Sequence, residues 1–486
     1  MDIRQQAVSG LKWTGLSSVV STIIQLARTV VLARLLAPQD FGLMGMVMVV
    51  LGFAQNYTDL GLGAAIIHRQ DVTRDQLSSQ YWLNVLTGFI LFGLIWAFTP
   101  LVVHLFRESR LTHLLEATAL VFIIAPFGTQ FHILLQKELH FNILVKQEIV
   151  AGICGLFVAI GCAVSGFGVW SLILGTITEV TCKTLLAIRI GLARYRPSFH
   201  FRGSDVRSFM SFGLYQTGER TVNYLSERLD QILVGSLLGA EALGFYNFAF
   251  NLVTQPISRI NPIITRIAFP VFSKVQHDTE KLRSGYIKMI NNLTTINAPL
   301  LIGMASVAPL AVPLIFGPKW SKSIILIQLL SFVALCRSSG NPIGSLQLAK
   351  GRADLGFKWN VALLAVSAPA MYIGGLVGKG VGVATSLLIL QIISYMPAYV
   401  YLVRPLIGEC IGKYTTALLK PIGIAIIMGL IILPIPYILK VLPDPMALIV
   451  QIGFGILLYM SLLWLMDKNV VYEFKDILAS RSTQVR

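Results

Sequence analysis

The chain has 486 residues, of which 55% are hydrophobic and 13% charged, and its formal net charge is +16. An ordinary soluble domain carries about 25% charged residues, so this chain lacks the polar skin that its length would require. A soluble enzyme, a disordered chain, a disulfide-framed secreted scaffold and a coiled coil are excluded, and an all-α polytopic membrane protein remains.

Walking the chain with a hydrocarbon core about 30 Å thick in mind, the hydropathy predicts fourteen spans. They are residues 11–36, 41–67, 80–106, 113–135, 144–164, 168–190, 209–237, 241–268, 286–315, 321–348, 357–377, 380–403, 414–438 and 445–467. Breakers separate them at Ala37-Pro38-Gln39-Asp40, Gly166-Phe167-Gly168, Gly317-Pro318, Gly378-Lys379-Gly380 and Pro443-Asp444-Pro445. Pro256, Pro262 and Pro270 predict kinks or breaks in the eighth span, and Pro299, Pro309 and Pro313 in the ninth. The first apolar stretch is long enough to stay in the membrane, and no cleaved leader is expected. Cys154, Cys162, Cys182, Cys336 and Cys410 form no CxxC and read as packing residues.

With an even number of spans both termini share a side. If that side is cytoplasmic, inner segments hold about 26 Lys/Arg and outer ones about six (Arg107, Arg110, Lys319, Lys322, Lys379 and Lys440), the positive-inside pattern. The basic excess is thus expected to lie against anionic lipid heads and not on nucleic acid, for which no motif is present. Trp13, Tyr81, Trp82, Trp170 and Trp320 fall near span ends, as an interfacial belt would.

Two segments are alike at an offset of 202 residues: Leu35 to Gly42 (LLAPQDFG) and Leu237 to Gly244 (LLGAEALG). Six spans intervene, so the copies have the same orientation and predict a parallel repeat about an axis along the membrane normal. Polar stripes support it. Thr14, Ser18, Ser21, Gln25 and Arg28 share one helical face of the first span. Gln216, Arg220, Asn223, Glu227 and Asp230 do so on the seventh, and the same offset maps one set onto the other. A charge facing lipid at mid-bilayer costs at least about 2.5–3.5 kcal/mol, so these faces are expected to meet each other or a wet cavity.

The segment LARLLAPQDFGLMGM, with SGLKWTGLSS before it and TDLGLGAAIIHRQ after it, resembles the corresponding region of oligosaccharide flippases. These belong to the multidrug/oligosaccharidyl-lipid/polysaccharide transporter superfamily, and the nearer likeness is to its colanic-acid-type polysaccharide exporters. The resemblance implies two six-helix lobes, here residues 1–200 and 201–408, and two extra C-terminal helices with a cytoplasmic tail, residues 409–486. It implies alternating access that carries an undecaprenyl-diphosphate-linked repeat unit between leaflets of the bacterial cytoplasmic membrane. It also implies a lipid-linked oligosaccharide and membrane lipids as partners, with polymerase or export machinery alongside.

A diphosphate head crossing hydrocarbon needs fixed cations, and arginine grips phosphate oxygens with a planar fork. The candidates for substrate contact are Arg28, Arg220, Arg228, Arg259 and Arg337, with Gln25 and Asn223 on the polar stripes. Structural pairing competes at two of them, Arg28 with Asp230 across the repeat and Arg220 with Glu227, Arg228 lies off the stripe toward a neighbouring helix, and Lys183 reads as an ordinary helix ion pair with Glu179 one turn away. Tyr215 and Tyr224 are candidates for stacking on sugar. Glu227, Asp230 and Asp59 are candidate sites for coupling to H+ or Na+, and the membrane potential alone is a further driving force.

Two rivals stay open. A cation-coupled multidrug antiporter of the same superfamily should have more intramembrane acids than bases. A membrane polymerase or glycosyltransferase should show a sizeable outer loop or a D-x-D element. No G-x-x-x-x-G-K-[ST], metal-ligand spacing or cofactor motif is present.

Overall fold

Inside a bilayer each backbone polar group must find its partner within the protein, which leaves helices or a closed barrel. The computed structural model describes residues 3–58, 66, 72–439 and 441–466, with backbone alone at 3–12, 14, 16, 17, 204–220, 263, 264, 266 and 267. Among the described residues the chain is helical, with no strand. Among the described residues ten helices are long and apolar enough to span a membrane, or eleven with one bent pair included.

The chain divides into two compact units, Met1–Gly244 and Phe245–Arg486. The first contains α1 (Ile3–Leu35), α2 (Pro38–Gln55), α3 (Arg74–Phe106), α4 (Leu111–Ile124), α5 (Pro126–Lys137), α6 (Phe141–Val164) and α7 (Trp170–Gly191). Helix α8 (Gly203–Lys274) runs across the division. The second contains α9 (Thr279–Phe316), α10 (Ser323–Gly340), α11 (Pro342–Ala349), α12 (Ala353–Ile393), α13 (Ile411–Ile432) and α14 (Asp444–Met466).

The breakers act where the sequence places them. Pro38 opens α2, and the Ala37 N–H donates to the Asp40 carboxylate at 2.9 Å. Gly166 and Gly168 take φ of +81° and +54° in the turn between α6 and α7. That hairpin closes through small residues. A Cβ on Gly155 would lie 2.8 Å from the Gly175 carbonyl oxygen, and one on Gly175 would lie 3.0 Å from that of Gly155.

Two of the expected boundaries fall within α8 and α12, each of which carries one non-helical residue: Gly239 (φ +80°) and Lys379 (φ +52°). The chain reverses at both. Residues eight apart in a straight helix are about 12 Å distant. Yet Gly374 and Gly382 lie against each other's carbonyls, and a Cβ on Gly235 would touch Leu243 at 3.0 Å.

The prolines behave differently from one another. At Pro126 the predicted fourth span bends by 46° into α4 and α5. The ring removes the donor for the Phe122 carbonyl, and Gly88 of α3 packs against that carbonyl so closely that a Cβ would overlap it. Of the kink or break expected in the ninth span, no break occurs: α9 continues to Phe316 past Pro299, Pro309 and Pro313. Side chains from other helices take over two of the lost bonds. Tyr459 Oη donates to Thr295 O at 2.9 Å, the carbonyl that Pro299 leaves unpaired. Gln328 Nε2 does the same for Ala305 O below Pro309 at 3.3 Å. Beyond α13, Gln451 Nε2 reaches Ile432 O at 2.9 Å, four residues before Pro436.

Trp320, expected in an interfacial belt, is instead fully buried and stacks on Phe248 with ring centroids 4.2 Å apart. Its position after the Pro318 turn brings the indole back onto the second unit, where burying an aromatic of that size outweighs interfacial placement.

Candidate functional site

One group of charges set into apolar helices of the first unit lies along α7. Arg28 of α1 donates through Nη1 to Glu179 Oε2 at 3.1 Å and through Nη2 to Thr176 Oγ1 at 3.3 Å. The Thr176 hydroxyl in turn donates to Leu172 O at 2.8 Å. The Arg28 and Glu179 side chains are 23% and 42% exposed, so the pair is not sealed in packing. One turn along α7, Lys183 Nζ lies 3.8 Å from Glu148 Oε1 of α6.

Both pairings differ from those the sequence suggested. Arg28 does not meet Asp230, and Lys183 does not meet Glu179. The reason is the α6–α7 register. The Gly155 contact brings α6 against the backbone at Gly175 and Glu179, which sets Glu148 opposite Lys183. Glu179 is then free for α1. Glu148, just inside the fifth span, was missed as an intramembrane acid; its place four residues into the span was the available signal.

On α8, Asp230 is buried, and its Oδ1 accepts the Gln231 N–H at 2.8 Å. Arg228 Nη1 donates to Gln231 Oε1 at 3.1 Å, and its guanidinium lies 5.8 Å from the Tyr224 ring centroid. Asn223 is partly buried and Glu227 exposed. Tyr224, a candidate for sugar stacking, packs on α2 instead: its hydroxyl donates to Val49 O at 2.9 Å, and its ring fills the space that Gly52 leaves. The hydroxyls of Tyr57, in the turn after α2, and Thr221 of α8 are 2.7 Å apart. Gln25 is exposed on α1. Asp59 and the side chains of Arg220 and Tyr215 lie outside the described residues.

In the second unit Arg259 is exposed and Arg337 partly buried, and neither makes a hydrogen bond or ion pair with a described residue. Arg337 is next to a polar contact between α9 and α10, where Thr294 and Ser339 hydroxyls are 3.2 Å apart. Asn297 Nδ2 donates to Asn261 Oδ1 at 2.9 Å, joining α9 to α8. Among the described residues no cluster of His, Cys, Asp and Glu could hold a metal ion.

A polytopic helical scaffold with ion pairs set into its apolar helices defines an integral membrane protein. Comparison with known proteins gives the family. Residues 31–325 match the family described as Polysaccharide biosynthesis protein. The lipopolysaccharide biosynthesis protein WzxC of Escherichia coli is 36% identical over 425 residues, 87% of this chain and 86% of that one. The teichuronic acid biosynthesis protein TuaB of Bacillus subtilis is 34% identical over 432 residues, 88% of this chain and 89% of that one. A structure of the lipid II flippase MurJ in an inward closed conformation is similar with a TM-score of 0.75 at 14% identity, covering 96% of this chain and 100% of that one. At that identity the likeness is one of fold. The chain belongs to the polysaccharide biosynthesis protein family. It is a multi-pass membrane transporter of polysaccharide biosynthesis and not an enzyme.

Proposed function

We propose that the protein flips an undecaprenyl-diphosphate-linked oligosaccharide repeat unit from the inner to the outer leaflet of the cytoplasmic membrane by alternating access, for exopolysaccharide, capsule or O-antigen assembly. Arg28 carries this reading. It is a guanidinium in an apolar helix, held by one carboxylate oxygen and one hydroxyl, and partly open. Such a cation exposed to lipid would be expensive, and a phosphate oxygen is its natural further partner.

Splitting α8 at Gly239 and α12 at Lys379, and counting α2, supports fourteen spans. The repeat of residues 35–42 at 237–244 supports two lobes, residues 1–200 and 201–408, with residues 409–486 as two added helices and a tail. Basic-residue asymmetry supports cytoplasmic termini. Arg220, Arg228, Arg259 and Arg337, with Gln25 and Asn223, complete the substrate-contacting set. Arg259 and Arg337 are supported by the absence of a competing carboxylate among the described residues. For ion coupling the exposed Glu227 is better placed than the enclosed Asp230, with Asp59 as a third candidate. With the cytoplasm negative, the membrane potential itself favours outward movement of an anionic head by about 2.3 kcal/mol per charge per 100 mV.

The test replaces Arg28, Arg220 and Arg259 together with Ala and locates lipid-linked repeat units by leaflet. The expected result is a folded protein with repeat units held in the inner leaflet. Normal surface polysaccharide from that variant overturns the reading.

A further inference from the structure

Glu179 and Lys183 lie one turn apart on α7, about 6 Å along its axis. Each is held by a residue of opposite sign from another helix, Arg28 of α1 and Glu148 of α6. The side chains of Glu179, Lys183 and Glu148 are each about two-fifths exposed, at 42%, 41% and 40%. Charges so exposed within apolar spans require water beside them. His132 of α5 stands within electrostatic reach of Lys183 and Glu148, and its buried Nδ1 has no hydrogen-bond partner among the described residues.

The contacts at Arg28 are incomplete in a particular way. Glu179 accepts from one guanidinium nitrogen and Thr176 from another, so the carboxylate is not bound by the two-pronged fork. The Nε–H has no partner among the described residues. Lys183 and Glu148, at 3.8 Å, are beyond hydrogen-bond distance altogether. A diphosphate brings more charge and more acceptor oxygens than one carboxylate, so it can outcompete Glu179 for Arg28 and Glu148 for Lys183.

We propose that α7 carries two successive anion-exchange stations, Lys183 with Glu148 and Arg28 with Glu179 and Thr176, at each of which a phosphate of the substrate displaces the resident carboxylate. Lys183 is thereby a phosphate-binding residue, and Glu148 and Glu179 are positioning residues that hold each cation extended when no anion is present. This rests on reading Arg28 as a phosphate contact. Lys183 is nearer the Gly191 end of α7, which that reading places on the cytoplasmic side, so the head meets Lys183 first and Arg28 second. The carboxylates also serve release, because a cation with a competing partner lets an anion go.

The test is equilibrium binding of inorganic pyrophosphate to the purified full-length protein. K183A and R28A are each expected to weaken binding about five- to tenfold. E148Q and E179Q, which keep shape and remove the competing charge, are expected to tighten it about three- to tenfold. E148D, E179D and K183R keep charge and are expected to stay near wild type, which separates charge competition from damage to the fold. If E148Q and E179Q melt like wild type and leave affinity unchanged, the exchange is overturned. If K183A leaves affinity unchanged while R28A weakens it, the Lys183 station is overturned and the phosphate contact at Arg28 stands. If R28A binds pyrophosphate as wild type does, Arg28 is no phosphate contact and the exchange falls with it.

Discussion

Gly42 and Gly244 occupy equivalent places in a reciprocal contact. A Cβ on Gly42 would overlap the Ala240 carbonyl, and a Cβ on Gly244 would overlap the Pro38 carbonyl. Pro38 and Ala240 are separated by the same 202 residues as the two glycines. The two segments alike in sequence therefore pack on each other reciprocally, residue i against j and j against i. G42A or G244A alone is expected to lower stability by about 1–3 kcal/mol through overpacking. The double variant should lose less than the sum, because one separation of the turns relieves both clashes. Thermal melting in detergent measures all three; full additivity would mean that the glycines act independently.

The proline-freed carbonyl at Thr295 gives a compensation test. Y459F removes the donor to Thr295 O and is expected to cost about 1–3 kcal/mol, the range for an orphaned buried acceptor. In P299A the backbone N–H returns, so Y459F added to P299A should cost much less. A double-mutant cycle by denaturation checks it, and equal costs in the two backgrounds would assign the Tyr459 effect to packing alone.

Between α3 and α4, Arg110 donates through Nε and Nη2 to both carboxylate oxygens of Glu108 at 2.8 Å. This hydrogen bonding, with the nearby positive charge, holds the Glu108 carboxyl below its ordinary value of 4.5 against the opposing effect of partial burial. A carboxyl lowered in the folded state contributes stability that is present above 4.5 and lost as pH falls through its folded value. Melting temperature measured downward from pH 6 should therefore fall more steeply for wild type than for R110A below that point. Parallel curves would show that the pair adds nothing to folding.

Arg259 and Arg337 give a test of chemistry rather than charge alone. R259K and R337K keep a cation and lose the planar fork. Transport of lipid-linked repeat units is expected to drop several-fold in each, and further in R259Q and R337Q. Lysine variants with wild-type flux would show that a point charge is sufficient.

Much of the fold was legible because membrane crossing imposes strong rules on composition. Apolar length, the Pro38 and Gly166-Phe167-Gly168 turns, and the reversal at Lys379 all follow from local properties of the chain. The site was legible only in part. Arg28 stood out as a cation within an apolar span, whereas Thr176 is a neutral helix residue with nothing in its immediate sequence to mark it, and Glu148, marked only by its place just inside a span, gives no sign of its partner on another helix. Tyr224 and Trp320 show the same limit: each had the right neighbours for an exposed aromatic, and each is engaged by a helix remote in the chain or a ring across the unit.

By itself the sequence determined that this is a helical, many-spanning membrane protein with cations set into apolar spans, because hydrophobicity, breakers and charge act on the chain locally. Tertiary structure decided that Arg28 faces Glu179 and not Asp230, and that Lys183 faces Glu148. Those choices depend on how helices rotate and slide against one another, and that is set by close backbone approaches such as Gly155 against Gly175, which no single helix specifies.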